Sequence, residues 1–261
     1  MTSLARFLRE RWALVVGPLV LLAVWELLSR TGVIPGTFFP EPTRIIAGVT
    51  IIADAETGLG IDLMMTVFRL IVTVVLAVLI GVGIGIAITA SQWTQRGIST
   101  VLAFVYPIPG VLFFPFLTFI LGRTETAVLL TALVTPLIVM ILYTVAGVNS
   151  ISKTLIEVAD NYDCRGARRF FRILVPGALP SIVTGIRISL GFGLIAVIAI
   201  EMVGAPSGLG NFLWENWQIL RVTDMYVALL CIAVLGLLTT VGFDGVAGRL
   251  LPWQADAGST S

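Results

Sequence analysis

Seven of the chain's 31 charged residues fall within 24 consecutive positions, EVADNYDCRGARRFFRILVPGALP (157–180). Most other polar chemistry is missing. There is no histidine among the 261 residues, which excludes His-based acid–base catalysis and the commonest metal ligand. The two cysteines, Cys164 and Cys231, make neither a disulfide framework nor a metal-ligand spacing. The one lysine, Lys153, follows Ser152, whereas a P-loop needs Gly before its Lys. No paired-carboxylate motif is present, so an enzyme is not expected, and any ATP that drives the protein is hydrolysed by another polypeptide. What remains for the charged block is docking. Thr154-Leu155-Ile156-Glu157 fits a capping box and predicts a helix start. Leu155, Ala159 and Tyr162 fall on one face at helical spacing, with Glu157, Asp160 and Asn161 on the other. Gly166 permits a turn. A second short helix then carries Phe170, Phe171 and Leu174 against Arg168, Arg169 and Arg172, and Pro176 and Pro180 are expected to stop it. Two short amphipathic helices suit recognition in a partner's groove. The residues alone equally allow a loop whose arginines only set topology.

The elements around the block are membrane spans. The chain is 57% hydrophobic and 12% charged, against about 25% charged in soluble domains. It reads as an all-α polytopic membrane protein, one transmembrane domain over 1–261. A span needs roughly 20 mostly apolar residues, and six segments qualify, at about 12–28, 66–90, 97–121, 126–148, 182–203 and 225–243. A cytoplasmic loop at 150–181 separates the fourth from the fifth. With the N-terminus inside, Arg6, Arg9, Arg11, Arg96, Lys153, Arg165, Arg168, Arg169, Arg172 and Arg249 are cytoplasmic, and Arg30, Arg44, Arg123 and Arg221 are outside. That bias puts both termini and the charged block in the cytoplasm, with the first span retained rather than cleaved as a signal peptide. The net charge of +1 gives no field for nucleic acid. Outside, 43–53 is apolar on one side and suits the membrane surface, and 204–224 carries Trp214 and Trp217 at interfacial positions. No internal repeat is visible.

The block resembles the EAA loop of permease subunits of binding-protein-dependent ABC importers. Glu157-Val158-Ala159 stands at the start of that pattern, Ile173 at its Ile position and Val175-Pro176 at its Leu-Pro. Val158 replaces an Ala, Val175 the Leu, and Asp163 the Gly; Gly166, three residues on, is a second place for the bend. The resemblance extends through "FFPEPTRI", "TVFRLIVTVVLAVLIGVGIGIAI", "TPLIVMILYTVAGVNSISKTLIEVA", "LPSIVTGIRISLG" and "EMVGAPSGLGNFLW" to the nitrate/sulfonate/taurine branch. It implies a type I ABC importer permease fold in a bacterial inner membrane, acting on a small anion such as a sulfonate, taurine or nitrate.

The same resemblance implies the partners: a second permease copy, two ATP-binding cassette ATPases that hold the ATP and Mg, and an extracytoplasmic substrate-binding protein. The permease itself binds no cofactor and no metal. Glu157, Val158, Ala159, Tyr162, Asp163 and Gly166 would form the ATPase-coupling contact, and the third and fifth spans would line the path. In the third, Pro107, Pro109 and Pro115 interrupt the helix, which puts Phe113, Phe114 and Phe116 forward as pore residues, or as packing against neighbouring helices. Glu201 is an ionisable group in the fifth span, so it belongs to a gate or pairs with Arg69 of the second. Glu26 and Arg30 form an i,i+4 pair, and Arg187 and Asp244 sit where they can reach the interface. Residues 206–210, PSGLG, give a tight external turn where the binding protein would dock. The rival reading is an ion-gradient-driven carrier or channel, which would show midplane charges and repeated halves.

Overall fold

The computed structural model describes residues 2–52, 58–164 and 166–250. Ala53, Arg165 and the C-terminal tail, which entered the expected surface segment, charge count and topology, lie outside them. The described residues are nearly all helical: α1 Thr2–Arg30, α2 Pro42–Ile52, α3 Leu59–Ile88, α4 Gln92–Val105, α5 Phe114–Leu121, α6 Glu125–Asn149, α7 Lys153–Asn161, α8 Gly166–Arg169, α9 Val175–Val203, α10 Leu209–Gln218 and α11 Val222–Leu250. Two compact units emerge, Met1–Gly60 with Phe212–Cys231, and Ile61–Asn211 with Ile232–Ser261.

Among the described residues, four helical stretches are long and apolar enough to cross a membrane: Leu59–Ile88, Glu125–Asn149, Phe170–Val203 and Val222–Arg249. A bent pair, α4 with Gly110–Leu121, makes a fifth if counted as one span. The remaining expected span, 12–28, falls within the 29 residues of α1.

The second unit is built around α6. This helix starts at Thr124, whose hydroxyl accepts from the Ala127 amide at 3.3 Å, and most of its residues from Ala127 to Val148 are buried. Small residues let its neighbours approach. A Cβ added at Gly81 of α3 would lie 2.6 Å from the Met140 Cβ, and one at Gly185 of α9 would lie 2.7 Å from the Tyr143 Cβ. Ala77, Met140, Val148, Ala178 and Ile182 form the core at one end of these three helices. Pro136 inside α6 loses a backbone bond, but its own carbonyl accepts from the buried Ser189 hydroxyl of α9 at 3.3 Å.

Three expectations about the chain path are corrected. The third span, 97–121, is interrupted at Pro107 and Pro109 as expected, but not at Pro115. It breaks at Tyr106–Pro109 and turns by 89° into a 3₁₀ turn, Gly110–Phe113, and α5. Pro107 and Pro109 have no amide to offer; Tyr106 keeps helical angles and its bond to the Leu102 carbonyl, and the chain has left the helix by Pro109, at ψ 123°. Pro115 does not interrupt anything, because it sits in the first turn of α5, where a missing amide costs nothing. Secondly, Pro176 and Pro180 do not stop the helix after the charged block. A π-helical turn, Phe170–Leu174, runs straight into α9, and the Val175 amide bonds back five residues to the Phe170 carbonyl. The wider turn accommodates Pro176, and the result is one 34-residue helix from Phe170 to Val203. Thirdly, the cap of α7 is Ser152, whose hydroxyl accepts from the Leu155 amide at 3.3 Å, rather than the box expected at Thr154.

In the first unit, Glu26 of α1 binds Arg30 at 2.6 Å and also accepts from the Thr43 amide and hydroxyl at 3.0 and 2.7 Å, which ties α1 to the start of α2. α2 runs Pro42–Ile52, overlapping the segment 43–53 expected to lie along the surface.

Candidate functional site

The charged block is a short exposed helix clamped from one side. α7 presents Leu155, Val158 and Tyr162 outward at 45%, 45% and 80% exposure, with Glu157 exposed among them. Ala159 faces inward and is buried. The helix ends in a Schellman arrangement. Asp163 takes the left-handed conformation at φ 50°, and the Cys164 amide bonds to the Ala159 carbonyl at 2.9 Å. Cys164 is buried beside the chain end, so the small apolar pair Ala159 and Cys164 anchors α7 from below. Gly166 is also left-handed, at φ 55°, and begins α8. The bend expected at either Asp163 or Gly166 is thus shared by both. A Gly at 163 would adopt this conformation without strain, while Asp carries a Cβ there. The expected apolar face was placed half correctly: Leu155 and Tyr162 are outward, whereas Ala159, assigned to the same face, is buried.

At the far end of the same unit lies an ion-pair network with a fully buried centre. Arg69 of α3 and Glu201 of α9 have no solvent exposure, and their side chains meet at 2.8 Å. The other edge of the guanidinium binds Glu125 in a two-pronged pair, Nε to Oε1 at 2.6 Å and Nη2 to Oε2 at 3.0 Å. It also donates to the Ser207 carbonyl and, at 3.2 Å, to the Ser207 hydroxyl. Glu201 accepts from the Thr66 hydroxyl at 2.9 Å and from the Gly210 amide at 3.0 Å. Two further amides of the turn are taken by α3: Gly208 donates to Asp62 at 2.6 Å and Leu209 to Thr66 at 2.8 Å. Three successive amides at the start of α10, which would otherwise lack partners, are therefore satisfied by side chains from two spans.

This geometry explains the glycines of PSGLG. Gly208 has φ 115°, and a Cβ there would lie 2.2 Å from the Glu201 carboxyl carbon. A Cβ at Gly210 would lie 2.5 Å from the Ile198 carbonyl oxygen. Expected as an external docking turn, 208–210 is instead buried against α3 and α9, and Pro206 is its exposed point. Sequence reasoning found Arg69 and Glu201 but missed Glu125, Ser207, Asp62 and Thr66. Asp62, Thr66 and Arg69 recur at i, i+4 and i+7, a polar stripe on an otherwise apolar helix, and that stripe was the available signal.

The pore candidates separate. Phe114 is buried with Val128, Ala132, Val197, Ile200 and Ala205. Glu201 is sealed in the network. Phe113 is half-buried and Phe116 is 71% exposed. At the break before α5 lies an uncharged cavity of ≈ 320 Å³, whose lining includes Tyr106, Gly110, Thr135, Phe192 and Ala199. Arg187 and Asp244, expected to reach the interface separately, pair with each other.

Comparison with known proteins places this architecture. Residues 77–255 match the family model described as "Binding-protein-dependent transport system inner membrane component". The taurine transport system permease protein TauC of Escherichia coli (strain K12) is 29% identical over 264 residues, covering 97% of this chain and 96% of that one. The nitrate import permease protein NrtB of Synechocystis sp. (strain ATCC 27184 / PCC 6803 / Kazusa) is 25% identical over 227 residues, covering 84% and 82%. Among solved structures, an inward-facing conformation of the MetNI methionine ABC transporter shares the fold, with TM-score 0.64 and 20% identity, covering 73% of this chain and 95% of that one. The carrier alternative falls away. The chain belongs to the inner-membrane components of binding-protein-dependent transport systems: it is a multi-pass permease subunit of an ABC importer, and ATP hydrolysis belongs to a separate chain.

Proposed function

We propose that the protein imports a small oxyanion, and that α7 is the helix through which a cytoplasmic ATPase drives it. The observation that carries the coupling role is the exposed face of α7: Leu155, Val158 and Tyr162 are uncovered while Ala159 and Cys164 hold the helix from beneath. A helix that only set topology would need neither an ordered apolar face nor a closed C-terminal cap. On this reading Glu157, Val158, Tyr162 and the Asp163–Gly166 bend meet the groove of the ATPase. Two copies of the permease pair with two ATPases carrying ATP and Mg, and an external binding protein delivers the solute. Both termini and α7 then face the cytoplasm. Phe113 and Phe116 line the path, while Phe114 and Glu201 position the helices around it.

The substrate class is inferred from relatives named for taurine, aliphatic sulfonates, nitrate and bicarbonate, which share a small anionic group. The test is purification of the tagged chain from its native membrane in mild detergent, with its co-purifying proteins identified, alongside vanadate-sensitive uptake in vesicles. The wild type should bring an ATPase, and Val158→Asp or Glu157→Lys should lose it while the chain still inserts. Co-purification unaffected by both substitutions would end the coupling assignment.

A further inference from the structure

The first unit carries two adjoining features that the transport reading does not use. One is a polar cavity of ≈ 460 Å³ at the start of α11, lined in part by Thr37, Arg44, Arg221, Thr223 and Asp224. Neither the Arg44 nor the Arg221 guanidinium has a hydrogen-bond or ion-pair partner among the described residues, whereas Arg30, Arg69 and Arg187 are all paired. Against the two arginines the wall sets one carboxylate, Asp224, leaving one positive charge over. The other feature is an apolar groove of ≈ 340 Å³ on the same two helices, α2 and α11, joined by α1. Trp25, Ile46, Tyr226, Leu229 and Leu230 lie along it, and the Trp25 and Tyr226 rings are 5.6 Å apart.

We propose that this is a site for an anionic phospholipid, with its phosphate between Arg44 and Arg221 and an acyl chain laid along the groove of Trp25, Tyr226, Leu229 and Leu230. The order of chemistry along α11 carries the assignment. Charge sits at residues 221–224, at the end of a membrane-spanning helix. Aromatic surface follows at 226, and purely aliphatic surface at 229–230. At 1.5 Å per residue Leu229 and Leu230 lie roughly 12 Å further along the helix direction than Arg221. That sequence of phosphate depth, aromatic belt and hydrocarbon is the profile of one leaflet. A soluble oxyanion would account for the cavity and not the groove, and an uncharged lipid for the groove and not the cavity. Two other carboxylates are close by in sequence: Glu26, beside Trp25, is engaged by Arg30 and Thr43, and Glu41, three residues before Arg44, is not part of the lining of either the cavity or the groove. The guanidinium fork matches phosphate oxygens two at a time, so two unpaired arginines on one cavity suit a phosphodiester.

The test is native mass spectrometry of the full chain released from detergent. It is titrated with phosphatidylglycerol, with phosphatidylcholine of the same acyl chains, and with glycerol 3-phosphate as the headgroup lacking chains. The expected result is at least tenfold better retention of phosphatidylglycerol than of phosphatidylcholine, with glycerol 3-phosphate neither retained nor competing. Arg44→Gln/Arg221→Gln should bring phosphatidylglycerol down to the phosphatidylcholine level. Arg44→Lys/Arg221→Lys should keep a preference, which separates lost recognition from lost folding. Leu229→Trp should lower retention of both lipids by filling the groove, and Arg123→Gln, outside both cavities, should change nothing. Equal retention of the two lipids by the wild type would overturn the proposal, as would a preference that survives the double Gln variant or is lost in Arg123→Gln. Competition by glycerol 3-phosphate would also overturn it, by assigning the cavity to a soluble oxyanion.

Discussion

Arg69→Met leaves Glu201 fully buried with two donors, the Thr66 hydroxyl and the Gly210 amide, and no counter-charge. The same substitution frees the Ser207 carbonyl and hydroxyl and releases Glu125, which is partly exposed and can turn to water. Almost all of the cost therefore falls on Glu201. Removing one partner of a buried ion pair costs about 3–5 kcal/mol, because the charge left behind keeps its desolvation penalty. Glu201→Gln should cost less, about 1–3 kcal/mol, since the amide oxygen still accepts and Arg69 keeps Glu125. The double variant Arg69→Met/Glu201→Gln removes the stranded charge, so its loss should fall short of the sum of the singles by at least about 1 kcal/mol. The assay is thermal unfolding of the purified chain in one detergent, followed by tryptophan fluorescence. On the scale of soluble domains of this size, Arg69→Met should melt roughly 6–15 °C below wild type. A shift within about 2 °C, or strictly additive singles, would refute the view that this pair holds α3, α6 and α9 together at this end of the unit.

Other expectations follow from the same geometry. Gly208→Ala forces a Cβ into the Glu201 carboxylate at a left-handed position, so it should destabilise about as much as Arg69→Met in the same melt, with Gly210→Ala close behind. At the end of α7, Asp163→Ala should loosen the cap by about 1 kcal/mol relative to Asp163→Gly, read as faster hydrogen exchange of the Cys164 amide that bonds Ala159. The buried Cys164 thiol should react slowly with maleimide in the wild type and faster in Asp163→Ala. Leu220, an exposed aliphatic residue at φ 58°, should gain about 0.5–1 kcal/mol on conversion to Gly, seen as a small rise in melting temperature.

Much of this was legible in the sequence because the membrane makes the accounting strict. Two charges in neighbouring apolar spans, Arg69 and Glu201, have few options other than one another. What escaped was set by position in space rather than by residue type. Glu125 looks like an ordinary first-turn acid of α6, and only the packing of α6 on α3 brings it within 2.6 Å of Arg69. The PSGLG turn read as external because its composition is that of a surface loop. The structure folds its amides onto Asp62, Thr66 and Glu201, which no local rule anticipates. The prolines were read correctly at one break and wrongly at another. Pro107 and Pro109 fall at the 89° bend, as expected, whereas Pro176 is absorbed because one π turn shifts the carbonyl ladder by a residue. Proline marks where a helix must adjust, and its neighbours decide whether that adjustment is a break or a bulge. The unbroken course has a mechanical consequence. The 34-residue helix links the charged block directly to Glu201, so a displacement at Phe170 can reach the Arg69–Glu201 network through a single element. A helix broken at Pro176, as first expected, would have dissipated that motion at the membrane surface.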